Sequence, residues 1–449
     1  MAILWEIRAI LRFLYPSTTL LPLLCLAASC GGAAQSGTTA PTENAVPAES
    51  VEPEAKFPDE LASFDYVWST IERTHWEPEK VGASWKAART EFRPKVIAAT
   101  TKAEARAVLK ELIASLGQSH FEISGIAQEA STMGGAGSLG IDVRMIGEQV
   151  VVWRVHAGGP AALQGIKTGM VIQAVNENVW TEVLPKLRKA GLALGGYREG
   201  AQVTSFVHGD VGAEATLRLL DGKGKTSEVK LRWAKAPGTI ASFGVIKNIP
   251  VEYDSYDIDK TTGYIRLSVF FDPVMVNRRF KADIKRFSGK SGLVFDLRGN
   301  PGGLGGMAMG LGGHLMSKKG SKLGSMISKD SRLDFVLNPQ PGAFTGKLAI
   351  LVDGQCVSTC EIIAAGLEDI GRAQVFGTRT AGAALPSQIE KLPNGALFQY
   401  ATANYISVSG RTLEKDGLTP GTIVPLTRES LLAGSDSQLA AAVAWLHKN

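Results

Sequence analysis

The run from Leu348 to Asp369 constrains the fold more than any other stretch of these 449 residues. An apolar strand, Leu348-Ala349-Ile350-Leu351-Val352, enters it. A polar turn follows through Asp353, Gly354 and Gln355, and an apolar helix leaves it. Ser358 sits where that helix should begin. Two readings of Ser358 compete. With Glu361 it fits S-x-x-E, the capping box that satisfies free amides at a helix start. It also fits a nucleophile presented on a strand-to-helix turn, where exposed amides can stabilise an oxyanion. The motif taken alone favours the cap, so the rest of the chain has to decide.

The flanking sequence alternates strands and helices. Gly263 to Phe270 reads as a strand and Val274 to Phe287 as an amphipathic helix. Gly292 to Leu297 reads as a buried strand that ends in a sharp turn, Arg298-Gly299-Asn300-Pro301-Gly302-Gly303. A Gly-rich helix, Leu304 to Met316, comes before the Lys347–Val352 strand, and Ala373 to Gly377 is a further strand. This alternation predicts an α/β layer structure. Far upstream, Leu61, Phe64, Val67, Trp68 and Ile71 recur at helical spacing, and Trp85 to Phe92 and Ala103 to Leu116 continue the pattern, which predicts a small helical bundle. Gly117 ends the last helix and leaves Ser119 and His120 in a turn. His120 is one of six histidines and the one that follows a helix stop beside another polar, catalytic-type residue. By position alone it still reads as a surface histidine.

The chain is long enough for about three domains. The net charge of +5 is small and no long basic run localises it, so nucleic-acid binding has no support. Of the four cysteines, Cys25 and Cys30 lie at the N-terminus, and Cys356 and Cys360 flank Ser358. No C-x-x-C pair or cysteine–histidine cluster occurs, so no metal or cofactor is called for. A disulfide between Cys356 and Cys360 is open in an oxidising compartment. So short a loop at a helix start strains the geometry, however, and two reduced, packed thiols are expected.

Residues 1–29 read as a signal sequence. Arg8 and Arg12 supply the positive region, and Thr18 to Ala28 is mostly apolar but too short to span a membrane and interrupted by Pro22. Its end, Leu26-Ala27-Ala28-Ser29-Cys30, resembles a bacterial lipobox, with Ala27 where leucine is more common. The resemblance implies lipid attachment to Cys30; an ordinary secretory signal cut near Ala28 is the alternative. Gly31 to Glu54 has almost no large apolar residue and cannot bury enough surface to fold, so residues 30–56 are expected to form a disordered tether. A lipid and a leash would hold the folded body near a membrane on its outer side. Gly31, rather than aspartate, after the cysteine points to the outer membrane, with the protein facing the periplasm.

Residues 131–235 resemble a PDZ domain. Ser138-Leu139-Gly140-Ile141-Asp142 is similar to the carboxylate-binding loop and its following strand, and Gly165 to Asn176 is similar to the family's A-G-[IL]-x-x-G-D-x-I-x-x-V-N, with Met170 replacing the usual aspartate. The resemblance implies that a peptide adds as a strand, with its terminal carboxylate received by amides of Leu139, Gly140 and Ile141. An occluded groove that only positions neighbouring domains is the alternative.

From Phe57 to Leu426 the chain resembles the C-terminal processing, or tail-specific, serine peptidases. Asp296-Leu297-Arg298-Gly299-Asn300-Pro301-Gly302-Gly303 is like D-L-R-x-N-x-G-G. Ser358-Thr359-Cys360-Glu361 running into Asp369-x-Gly371-Arg372-Ala373 is like S-A-S-E followed by Q-D-x-G-R-A, and Gly377-Thr378-Arg379-Thr380-Ala381-Gly382 is like G-x-x-T-x-G. The commoner branch carries a lysine base directly after that last glycine; here stands Ala383. A second, tricorn-like branch uses histidine, with a Ser-His pair from the end of the helical bundle and a glutamate near the C-terminus, matched here by Ser119-His120 and Glu414.

What the resemblance implies is a multidomain α+β protein. It would comprise a helical bundle at 57–130, the PDZ domain, an α/β peptidase core of ClpP/crotonase-like type at 253–430 and a C-terminal helix at 431–449. Ser358 would be the nucleophile and His120 its base, while Ser119 and Glu414 would form a polar relay that orients His120. Amides of Gly302 or Gly303, with that of Thr359, would form the oxyanion hole. Asp369 and Arg372 would be structural, as a charge pair holding the helix. The expected activity is serine-type endoproteolysis of unfolded or C-terminally exposed polypeptides in the bacterial envelope. Two rivals remain: a catalytically inactive peptide-binding scaffold, and a carrier of an apolar ligand, since a relative of this fold binds retinoids.

Overall fold

The computed structural model describes residues 54–126, 137–189 and 195–448. The signal segment, Cys30, most of the tether and the start of the expected PDZ region therefore lie outside the described residues.

A six-stranded sheet organises the C-terminal half. Its strands, Tyr253–Asp257, Thr262–Leu267, Gly292–Asp296, Lys347–Val352, Gln374–Gly377 and Thr422–Ile423, lie side by side in chain order. The first pair is antiparallel and every later pair is parallel. Parallel neighbours need long crossovers. The helices Pro273–Arg286, Gly305–Leu315 and Thr359–Asp369 supply three of them. The apolar run Leu348 to Val352 is continuous because both of its faces are covered. Leu348, Ile350 and Val352 pack with Phe280, Leu311 and Ile363 of the crossover helices. Ala349 and Leu351 pack with Ala442 and Leu446 of the C-terminal helix Ser437–Leu446.

The carboxyl ends of parallel strands bring their loops together. The loop after Asp296 meets the Ser358 turn where Val357 N–H donates to Asn300 O at 3.1 Å. The loop after Gly377 meets it where Ala381 N–H donates to Cys356 O at 3.1 Å. The helices Pro58–Thr74, Ala83–Ile97 and Lys102–Ala114 form the expected N-terminal layer, but not as an isolated bundle. Phe64, Ile71, Trp85 and Leu112 share one core with Phe398 and Tyr400, and the strand Glu122–Ile126 pairs with Ala396–Ala401. This shared core carries Ser119 and His120 to the large sheet.

Between these parts, Ile141–Ile146, Gln149–Val155, Val171–Val175, Glu214–Leu220 and Thr226–Arg232 form an antiparallel sheet beside the helices Trp180–Lys189 and Gly195–Ser205. A buried ionic cluster joins it to the core. Arg298 pairs with Asp296 (2.6 Å) and Asp436 (2.7 Å), and its guanidinium lies 4.8 Å from the centre of the Trp153 ring. Tyr264 Oη adds a hydrogen bond to Asp296 at 2.7 Å. The Asp and Arg of the D-L-R-x-N-x-G-G stretch thus serve the scaffold. Removing one member of a buried pair strands the other, at about 3–5 kcal/mol. Arg298→Met is expected to cost that much in urea denaturation, and the double change Asp296→Leu/Arg298→Met is expected to recover part of the loss.

Candidate active site

Ser358 closes the strand-to-helix turn with φ 57° and ψ −120°. An L-residue there carries roughly 1–3 kcal/mol of backbone strain, which surrounding contacts must offset. Several do. Ser358 N–H donates to Ala383 O at 2.8 Å and to Glu361 Oε2 at 3.1 Å. The turn leaves Ser358 partly exposed while Val357 and Thr359 are buried. Ser358 and Glu361 stand in a capping-box relation, yet the Ser358 hydroxyl makes no cap hydrogen bond of regular geometry. The two readings of S-x-x-E are therefore compatible: the glutamate anchors the backbone, and a Ser358 Oγ that faces the Glu361 amide as an acceptor keeps its own proton to give.

Glu361 does more than cap. Its fully buried carboxylate accepts from the Thr380 hydroxyl and from the amides of Gly382 and Ala383, both at 2.9 Å. Burial pushes its pKa up, to about 7, against the pull of these donors. Ala383 stands where the commoner branch has lysine. It is 1% exposed, with its N–H on Glu361 and its carbonyl on Ser358, so this position offers structure and no base.

Cys356 and Cys360 form a disulfide, where two thiols were expected. Residues four apart are neighbours at a helix start. Their Cα atoms are 5.6 Å apart, within the range of bridged cysteines.

The oxyanion assignment needs one correction. Gly302 N–H donates to Asn300 Oδ1 at 2.8 Å and is not available. The amides of Gly303 and Thr359 have no hydrogen-bond acceptor among the described residues. Gly302 matters instead for space. A Cβ on it would come within 2.7 Å of Ser358 Cβ and 3.0 Å of Thr359 N.

Ser119, His120 and Glu414 come together although 295 residues separate Ser119 from Glu414. Glu414 accepts from Ser119 N–H at 2.8 Å and from Ser119 Oγ at 2.7 Å, and Ser119 Oγ lies 2.8 Å from His120 Nδ1. The order is Glu414, Ser119, His120. Burial raises the Glu414 pKa, and the amides of Ser119 and Ala384 oppose that rise. Ala384 follows the residue that holds Ser358, so the relay and the serine are fastened to one segment. His120 Nε2 and Ser358 Oγ are not hydrogen bonded to each other in this structure. His120 (φ 58°), Ser358 (57°) and Lys415 (72°) are three of six described non-glycine residues with positive φ, which places half of the strained positions here. A cleft of about 500 Å³ opens beside the relay, lined by Gln118, Ser119, Tyr197, Arg379 and Glu414 among others.

Two further expectations change. Leu139 N–H donates to Val207 O at 3.4 Å and Gly140 N–H to Ser138 Oγ at 3.0 Å, so two of the three amides expected to receive a carboxylate already have acceptors. Leu139 and Ile141 turn their side chains into the core. Asp369 and Arg372 are structural but not a pair. Asp369 binds Arg411, and Arg372 donates to the carbonyls of Leu315 and Phe344.

Residues 261–424 match the profile of peptidase family S41, and residues 60–114 match that of the Tricorn protease C1 domain. Over these residues the chain is similar to the S41 peptidases. It is 26% identical over 307 residues to a carboxy-terminal-processing protease of Bartonella bacilliformis, covering 66% of this chain and 62% of the relative. It is 27% identical over 259 residues to carboxyl-terminal-processing peptidase 1, chloroplastic, of Arabidopsis thaliana, covering 53% and 52%. The chain therefore spans between half and two thirds of these relatives' length. A solved photosystem II D1 C-terminal processing protease shares the fold, with a TM-score of 0.53 at 20% identity over 84% of this chain and 98% of that one.

Burial lowers the His120 pKa to about 4. The folded state then binds fewer protons at this group than the unfolded state between about pH 4 and 6.5. The stability it contributes is complete above 6.5 and is lost as pH falls through that window. The imidazole is thus neutral and able to accept a proton across the whole neutral range. An NMR titration, assigned by comparison with His120→Ala, is expected to find its midpoint nearer pH 4 than 6.5.

Proposed function

We propose that the chain is a serine endopeptidase that cleaves unfolded or C-terminally exposed polypeptides through an acyl-enzyme. The observation that carries this reading is the strained, partly exposed Ser358, beside two amides with no acceptor and on the segment that also fastens the Glu414–Ser119–His120 relay. His120 takes the Ser358 proton as Oγ attacks the peptide carbonyl, and returns it to the leaving amine. This transfer requires the imidazole and hydroxyl to close up when substrate is bound, as catalytic hydrogen bonds often do. The amides of Gly303 and Thr359 receive the developing oxyanion. Glu414 acts through Ser119 to orient the imidazole and favour its charged form.

On this reading the region from 131 to 235 is a PDZ domain that gathers tails or positions the core, and the region from 253 to 430 has the ClpP/crotonase-like layout. The signal and lipobox features support a location on the outer membrane, lipid-anchored at Cys30 and facing the periplasm. The Cys356–Cys360 disulfide favours such an oxidising compartment.

The test is hydrolysis of an unstructured protein by the purified chain lacking residues 1–30. Ser358→Ala and His120→Ala are each expected to lower kcat by at least about a thousandfold. Ser119→Ala acts only through the orientation of His120 and is expected to cost roughly a hundredfold. Hydrolysis that survives Ser358→Ala would refute the assignment. An unaltered protein that binds the unstructured protein but neither cleaves it nor reacts with a serine-directed covalent probe would favour the inactive scaffold.

A further inference from the structure

The cysteines that flank Ser358 take no part in the reaction just described. Both are fully buried and joined to each other. Their bond closes a ring over a sequence separation of 4; that ring runs through the Thr359 amide and carries the Ser358 side chain on its backbone. The ring is held from outside. Cys356 N–H donates to Asp353 O at 2.9 Å, Ala381 N–H donates to Cys356 O at 3.1 Å, and Cys360 Sγ lies 3.5 Å from Leu297 O. The sulfurs are thus enclosed between the ends of neighbouring strands. Bonded sulfurs sit well inside van der Waals contact, whereas two thiols need more room than that. With closed walls, the room has to come from the backbone of the turn.

Resting on the peptidase reading, we propose that the Cys356–Cys360 disulfide is a positioning element for acyl transfer. It holds Ser358 Oγ in register with the Thr359 amide, so that reducing it slows the chemical step. The reductant is a dithiol. Its thiolate attacks one sulfur to give a mixed disulfide, and its second thiol resolves that. Two electrons and two protons pass to Cys356 and Cys360, which become thiols, and the reductant leaves as a disulfide. Because both sulfurs are buried, the exchange waits on opening of the turn and is slow.

The experiment uses the full folded chain, oxidised or incubated with dithiothreitol until alkylation and mass measurement count two new thiols. Full reduction is expected to lower kcat at least tenfold with less than a twofold change in KM, and reoxidation to restore it. A merely structural bond would lower the amount of folded enzyme and leave the KM and kcat of the remainder alone. Cys356→Ala/Cys360→Ala is expected to be slow and indifferent to the reductant. Hydrogen exchange across residues 354–362, which needs no activity, is expected to quicken on reduction. The proposal is overturned if the reduced chain turns over at the oxidised rate, if dithiothreitol slows the double-alanine variant equally, or if exchange in the turn is unchanged. If the oxidised chain neither hydrolyses nor labels with a serine-directed probe, the peptidase reading fails, and the exchange measurement alone decides whether the bond positions the turn.

Discussion

Everything around Ser358 depends on one buried carboxylate. Glu361 faces four donors: the amides of Ser358, Gly382 and Ala383 and the Thr380 hydroxyl. Each donor belongs to a loop at the end of a parallel strand, and each would be costly to bury unpaired. One acceptor therefore satisfies the loop after Gly377 and the turn after Val352 together. An amide or hydrocarbon at 361 could not, because all four partners donate and only an acceptor meets them.

The same economy explains how strain persists at the site. Ser358 and His120 both hold φ values that favour glycine, and neither is stabilised by its own backbone preference. Ser358 is held by Ala383, Glu361 and the disulfide on either side of it. His120 follows a helix stop at Gly117 (φ +60°) and is tied through Ser119 to Glu414. The middle sheet adds a clasp of its own. Arg144 Nε donates to Asp353 Oδ2 at 2.7 Å, while Asp353 Oδ1 accepts from the amides of Gly299 and Gln355, so one aspartate links that sheet to the loop after Asp296 and to the serine's own turn.

Much of this could be read from the chain. Apolar runs such as Leu348 to Val352 announced buried strands, and the glycine at 117 announced the end of a helix. Ser119, His120 and Glu414 were legible through the family likeness once Ala383 removed the alternative base. The details of hydrogen bonding were not. Gly302 looked like a donor because glycines allow close approach, but Asn300, two residues away, folds back onto its amide. The disulfide looked too tight from a spacing counted along the chain, whereas the helix start shortens that spacing in space. Asp369 and Arg372 share a helix end yet point to different neighbours, Arg411 and two carbonyls.

By itself the sequence determined the apolar strands and crossover helices around Ser358 and the helical start of the chain, because burial periodicity and helix stops are local properties, while the family resemblance pointed to the residues that carry chemistry. Only the tertiary structure decided which amides stay free, which cysteines join and in what order Glu414, Ser119 and His120 connect. Ser119 and Glu414 meet across 295 positions, and even the near pairs Asn300–Gly302 and Cys356–Cys360 depend on turn geometry that neighbouring loops impose, so the competition for donors and acceptors is settled in space.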